Sequence, residues 1–253
     1  MTLPDVRSEL LALASFYGVD RDAVDSVLDS LGAQLDEYAE IVLCEEGFEL
    51  ITAGHGRSVF ESFAQTVRCR GASDRVIAAF RLVHEALPDR IVALKLCLGG
   101  EPDAPSCYVR TMVGLSAGVS LLSGLEEVGL HCAALTERLR QSSTLYGVGF
   151  SGRETLRLKT YTLSVDEMTT GFTSHRIDVK GLHDFPKRYE REVGWSSIRR
   201  SSSKWARVLD FAARELGYRE AGHVGTWTRA DAASTFKVYV ERIGAIPTEL
   251  HRV

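Results

Sequence analysis

Lysine, arginine and tyrosine recur at alternate positions within segments that are otherwise apolar. Arg157, Lys159 and Tyr161 alternate with Leu156, Leu158 and Thr160; Lys237 and Tyr239 alternate with Phe236, Val238 and Val240; Lys95 and Cys97 alternate with Leu94, Leu96 and Leu98. Residues two apart on a β-strand share a face, so each segment predicts one oily face and one carrying cations with phenols or a thiol. Arginine presents a planar fork to phosphate oxygens and lysine a compact point charge. The face of a tyrosine ring is electron-rich and stabilises a nearby cation. Such faces, turned toward one enclosed space, would make a site for a polyanion whose departure leaves positive charge behind.

The elements that must carry these residues follow from periodicity. Residues 5–16 and 21–38 have helical spacing, with Asp20 an N-cap for the second. Segments 47–53 and 58–69 read as strands around the turn-forming 53–56, and 73–87 as a helix capped by Ser73 or Asp74. Strands at 91–98 and 106–113 flank the Gly- and Pro-rich stretch 99–105, and a helix at 115–140 follows. Strands at 144–151 and 154–164 precede a polar, irregular stretch over 165–200. A helix at 202–216, capped by Ser203, leads to strands at 222–228 and 233–240.

That order is about four helix–hairpin units in one domain spanning 1–253. Sequential hairpins pair with their neighbours, so the fold class is α+β, with a largely antiparallel sheet. An antiparallel β-barrel of repeated helix–hairpin units, surrounded by helices, would give the polar faces a wet lumen. An open sheet would leave the same residues in solvent, and period-two patterning alone does not separate the two. Recurrence of Lys and Tyr on one face in separate units favours the barrel.

Composition sets the outer limits. The chain has 253 residues, 45% hydrophobic and 25% charged, which suits a globular protein with a sizeable core. A formal net charge of −4 argues against global attraction to nucleic acid or anionic membranes, so cationic character must be local. Cysteines 44, 69, 97, 107 and 132 form no C-x-x-C pair, and the first residues lack a signal-peptide pattern. Both point to reduced thiols in a cytoplasmic protein. The apolar stretch 112–125 is too short to span a bilayer. The seven histidines show no metal-ligand spacing, and Gly147-x-Gly149 lacks the third glycine and helix of a dinucleotide loop. The basic run 196–205 reads most simply as a solvated loop entering a helix.

With these residues in hand, the chain resembles the aromatic prenyltransferases of the ABBA, or prenyltransferase-barrel, fold, and especially the dimethylallyltryptophan synthase branch. Arg157-x-Lys159-x-Tyr161 resembles that branch's Arg-x-Lys-x-Tyr strand, and Lys237-x-Tyr239 a later tyrosine-bearing strand. Lys95-x-Cys97 is similar to an earlier Lys-x-Tyr, with cysteine in place of tyrosine. Gly47-Phe48-Glu49-Leu50 resembles the segment carrying the family's indole-binding glutamate, and Arg57-Ser58-Val59-Phe60-Glu61 the strand that follows it. The likeness spans residues 47 to 240. It departs from the family in length, in Cys97, in the short interval from Glu49 to Arg57, and in showing four helix–hairpin units where the fold has five.

The resemblance implies transfer of a dimethylallyl or longer prenyl group from its diphosphate to an indole, tryptophan, phenol or peptide side chain. Arg57, Lys95, Arg157, Lys159 and Lys237, with Arg110 beside them, would hold the diphosphate. Tyr161 and Tyr239 would shield the allylic cation, and Glu49 would accept the acceptor's N–H and position its ring. No Asp-Asp-x-x-Asp motif occurs, so side-chain cations would stand where other prenyl-transferring enzymes use magnesium; no cofactor or metal is expected. The partners would be a prenyl diphosphate and an aromatic acceptor, with no nucleic acid or membrane. The alternatives are a non-enzymatic barrel holding an anionic small molecule or peptide, an enzyme acting on another phosphorylated substrate, and a prenyltransferase subunit completed by a partner.

Overall fold

The computed structural model describes residues 5–32, 38–54, 56–86, 91–98, 106–113, 123–124, 126, 145–151, 157–166, 169–178, 181–190, 195–218, 223–228 and 234–243. Two helices open it, α1 (Val6–Tyr17) and α2 (Arg21–Leu31). The Asp5 carboxylate accepts from Ser8 N–H at 2.6 Å and Asp20 from Asp22 N–H at 3.0 Å, so each helix begins on an acidic N-cap. Gly18 ends α1 in the left-handed region (φ 69°), which a side chain would resist.

Strands β1 (Ala39–Leu43) and β2 (Phe48–Gly54) follow, then helices α3 (Gly56–Cys69) and α4 (Asp74–Ala86). Next come β3 (Ile91–Cys97), β4 (Ser106–Val113), β5 (Leu145–Ser151), β6 (Arg157–Asp166), β7 (Thr169–Asp178) and β8 (Gly181–Glu190). Helices α5 (Trp195–Ser201) and α6 (Ser203–Glu215) precede β9 (His223–Thr228) and β10 (Ser234–Ile243). The fold is thus mixed helix and antiparallel sheet. Every described strand pairs antiparallel with its sequence neighbour, and β1 also pairs with β10, Leu43 opposite Val238, so the ten strands among the described residues form a closed ring. No helix among the described residues is long and apolar enough to cross a membrane.

Alternation on the strands divides the core in two. Ile41, Leu43, Phe48, Leu50, Leu94, Leu96, Val238 and Val240 face the helices and pack with residues such as Leu10, Leu28, Phe63, Phe80 and Trp205. Each such fully buried Leu or Phe contributes roughly 1.5–3 kcal/mol. The other parity gathers Val42, Ile51, Ala53, Ala93 and Tyr239, with Tyr38, into a separate inner cluster. All seven residues of β2 are buried, so neither of its faces meets bulk water. An open sheet with a solvated polar face would have left Glu49 exposed; it is 3% exposed.

Four expectations are corrected. Residues 56–69 are helix, not strand: Val59, Phe60, Phe63, Ala64 and Val67 are buried at spacings of three and four, a helical stripe that a short apolar run conceals. The helix expected over 21–38 ends at Leu31, and residues 39–43 form β1. The stretch 165–200 holds β7, β8 and α5 instead of irregular chain, which supplies the fifth hairpin. The α6 cap is Ser202, whose hydroxyl accepts from Trp205 N–H at 3.0 Å, and not Ser203. The helix expected at 115–140 falls almost wholly outside the described residues.

Candidate functional site

Glu49 lies on the inner face of β2, paired in register with Val42 of β1 on one side and Cys97 of β3 on the other. Lys95 stands two residues before Cys97 on the same face. Lys237 reaches the site from β10, beyond β1. The Lys95 Nζ meets Glu49 Oε2 at 2.6 Å, and the Lys237 ammonium donates to Glu49 Oε1. Cys97 Sγ donates to the same Oε1 at 3.4 Å. The two lysine side chains are 16% and 14% exposed and the carboxylate 4%, so this is a buried ionic cluster. Tyr239 is buried two positions beyond Lys237, directly opposite Val42.

Burial alone would raise the Glu49 pKa, but the charges of Lys95 and Lys237 and their hydrogen bonds outweigh it and hold the carboxyl at about 2. Burial likewise opposes the charge on Lys95, and Glu49 overcomes it, so the ammonium is held well above the ordinary lysine range. Glu49 is therefore a permanent anion near neutral pH. It can accept an N–H or O–H hydrogen bond, and it is a poor proton store.

Cys44, just past β1, belongs to the same neighbourhood. Its thiol is pushed up to about 12 by burial first and by the Glu49 charge next, so it stays protonated. The Tyr17 hydroxyl donates to the Cys44 carbonyl at 2.6 Å and ties the end of β1 to α1.

The side chains of Arg110, Arg157, Lys159 and Tyr161 lie outside the described part of the structure, but their backbone register is fixed. Directly opposed residues of an antiparallel pair share a face. Lys95 pairs with Ser106, Ser106 with Ser151, and Ser151 with Arg157, which puts Arg157 on the face of Lys95. Lys159 and Tyr161 share that face by alternation, as does Arg110, which pairs with Gly147 opposite Tyr161. The other way round the ring gives the same answer: Lys237 pairs with Gly225, then Tyr189, Thr170 and Val165, of the parity of Lys159. The ring thus places eight of the nine expected site residues on one inner face: Glu49, Lys95, Arg110, Arg157, Lys159, Tyr161, Lys237 and Tyr239.

Arg57 is the exception. It is exposed in the first turn of α3, in the helical layer, so its expected place on a barrel strand is corrected. Sequence reading also passed over Lys187-x-Tyr189 on β8 and Arg176 on β7, which share the inner parity. The Lys-x-Tyr spacing, already seen elsewhere in the chain, was the signal that could have found the first. Among the described residues, no group of three or more His, Cys, Asp or Glu is arranged to hold a metal ion.

No protein-family model matches the chain, and no curated protein matches it by sequence. Among solved structures it is similar to AnaPT from Neosartorya fischeri, at 11% identity and a TM-score of 0.49, over 96% of this chain and 95% of that one.

Proposed function

We propose that the chain is a metal-independent aromatic prenyltransferase of the prenyltransferase-barrel kind. It would transfer a dimethylallyl or longer prenyl group from its diphosphate to an indole, phenol or related aromatic acceptor. The observation that carries this reading is the buried Glu49–Lys95–Lys237 cluster, set on a strand face that also holds the Arg157, Lys159 and Tyr161 positions. Heterolysis of the allylic C–O bond adds one negative charge to the departing diphosphate and leaves one positive charge on carbon. Lysines and arginines fixed in a poorly solvated lumen stabilise the first, and the Tyr161 and Tyr239 rings the second. The cation then adds to the ring carbon of the acceptor, whose N–H or O–H Glu49 holds, and the ring proton passes to the released diphosphate, which restores aromaticity.

The test is calorimetric titration of dimethylallyl and geranyl diphosphate with and without magnesium, followed by product analysis with indole and phenol acceptors. Micromolar binding and turnover that persist in chelator, and that fall by about two orders of magnitude or more in Lys159→Ala without loss of fold, are the expected result. Binding without turnover of any acceptor overturns the transferase reading and leaves an anion-binding barrel.

A further inference from the structure

The cluster contains a conflict that the proposed reaction must resolve. Lys95 and Lys237 are the cations meant for the diphosphate, and Glu49 is the carboxylate meant for the acceptor, yet both lysines are bound to Glu49. Both ammonium groups spend their charge on the carboxylate, and both carboxylate oxygens are engaged by a cation. Resting on the prenyl-transfer reading, we propose that Glu49 is a resident anion in the diphosphate site, displaced by the donor and thereby released to the acceptor. The donor consequently binds first.

The exchange keeps both lysines paired and moves the cost of burial onto the carboxylate. A lone carboxylate this deep would be costly, as would two lysines without a counter-ion. An arriving diphosphate supplies anionic oxygens to Lys95 and Lys237 in place of Oε1 and Oε2, so the lysines remain neutralised throughout. The carboxylate then lacks its cations and gains most by accepting an N–H or O–H from the acceptor. Glu49 is only 3% exposed, so bulk water has little access to it and a donor group on the acceptor is the partner it lacks. An aromatic acceptor arriving without donor would meet a carboxylate already paired with two ammonium groups. An allylic cation is therefore generated only after the lysines have let go of the group that positions its trap.

Two quantities follow. Competition from Glu49 lowers the affinity for diphosphate by the fraction of molecules in which the carboxylate has moved aside. Coupling is also reciprocal: diphosphate must raise the affinity for acceptor by the factor by which acceptor raises the affinity for diphosphate.

The experiment is calorimetric titration of inorganic diphosphate into the wild-type chain, Glu49→Gln and Glu49→Asp, with circular dichroism to verify the fold. Glu49→Gln is expected to bind about tenfold tighter or more than wild type, the size of effect that one charge-assisted contact controls. Glu49→Asp keeps the charge on a shorter arm and should fall between, which preserves the test if the glutamine variant does not fold. Indole titrated with and without saturating diphosphate should gain affinity in the wild type only. Equal diphosphate affinities across the series overturn the displacement and leave the diphosphate site standing. No binding in any of the three overturns the displacement and the diphosphate reading together. Tighter binding in Glu49→Gln, in a chain that turns over no prenyl donor, supports the displacement and overturns the transferase.

Discussion

Glu49 carries a measurable linkage of its own. Its folded pKa of about 2 lies below the ordinary 4.5, so its contribution to stability is fully present above pH 4.5 and is lost as the pH falls toward 2. That shift corresponds to on the order of 3 kcal/mol at neutral pH. Denaturant melts across pH 2 to 6 should therefore show a steep acid limb in the wild type, flattened in Glu49→Gln. An unchanged limb would mean the carboxylate is not held by its lysines. Lys95 runs the opposite way. Its raised pKa gives stability that persists below the ordinary lysine value and is lost only as the pH climbs through the higher folded one. Without Glu49, burial acts on Lys95 unopposed, so Glu49→Gln should lose stability at a lower alkaline pH than wild type.

At the scale of the element, Ser202 is the clearest test. It caps α6 through Trp205 N–H and its hydroxyl also donates to Glu45, next to the β1–β2 turn. Ser202→Ala should cost about 1 kcal/mol, read as a lowered urea midpoint at unchanged slope, while the exposed Ser203→Ala should cost almost nothing. The contrast also shows where sequence reading stops. Two adjacent serines are equivalent in composition, and only the helix phase, fixed by Trp205, Val208, Leu209 and Ala212 against the sheet, selects the first. The strands at 91–98, 106–113 and 222–228 were legible because apolar, β-branched or aromatic residues gather there beside turn-forming stretches. β7 was not, because Thr170, Ser174 and Arg176 alternate with Thr169, Thr173 and His175 and both parities are polar. β8 hides behind Pro186, which a central strand disfavours. The pairing of β8 with β9 covers only Arg188, Tyr189 and Glu190, so the proline sits outside it. The site was legible as residue types on one face. That Lys237 reaches Glu49 was not, because this contact depends on how β10 is placed beside β1.

That placement is a property of the whole molecule. β1 pairs with β10, and Lys237 meets Glu49 only across this closure. Deleting residues 234–243 should remove the cooperative thermal transition and leave a chain that aggregates or elutes as an expanded species in size exclusion. A compact monomer with a sharp transition would show that the remaining strands suffice. Pairing so distant along the chain also predicts slow folding, since the closing contacts repay their loop entropy only late.

Because the two faces of β2 meet different chemistry, the strand tolerates no change of length. One residue inserted after Phe48 would carry Glu49 into the helix-packed hydrocarbon and swing Leu50 onto the ionic side. In an open sheet an outer strand could slide to absorb the error. In a closed ring, β1 and β3 hold β2 from both sides and are themselves held, so the slip has nowhere to go. Insertions and deletions should therefore be accepted in the connections between strands and refused inside them, a pattern that a one-residue insertion scan read by soluble expression would reveal.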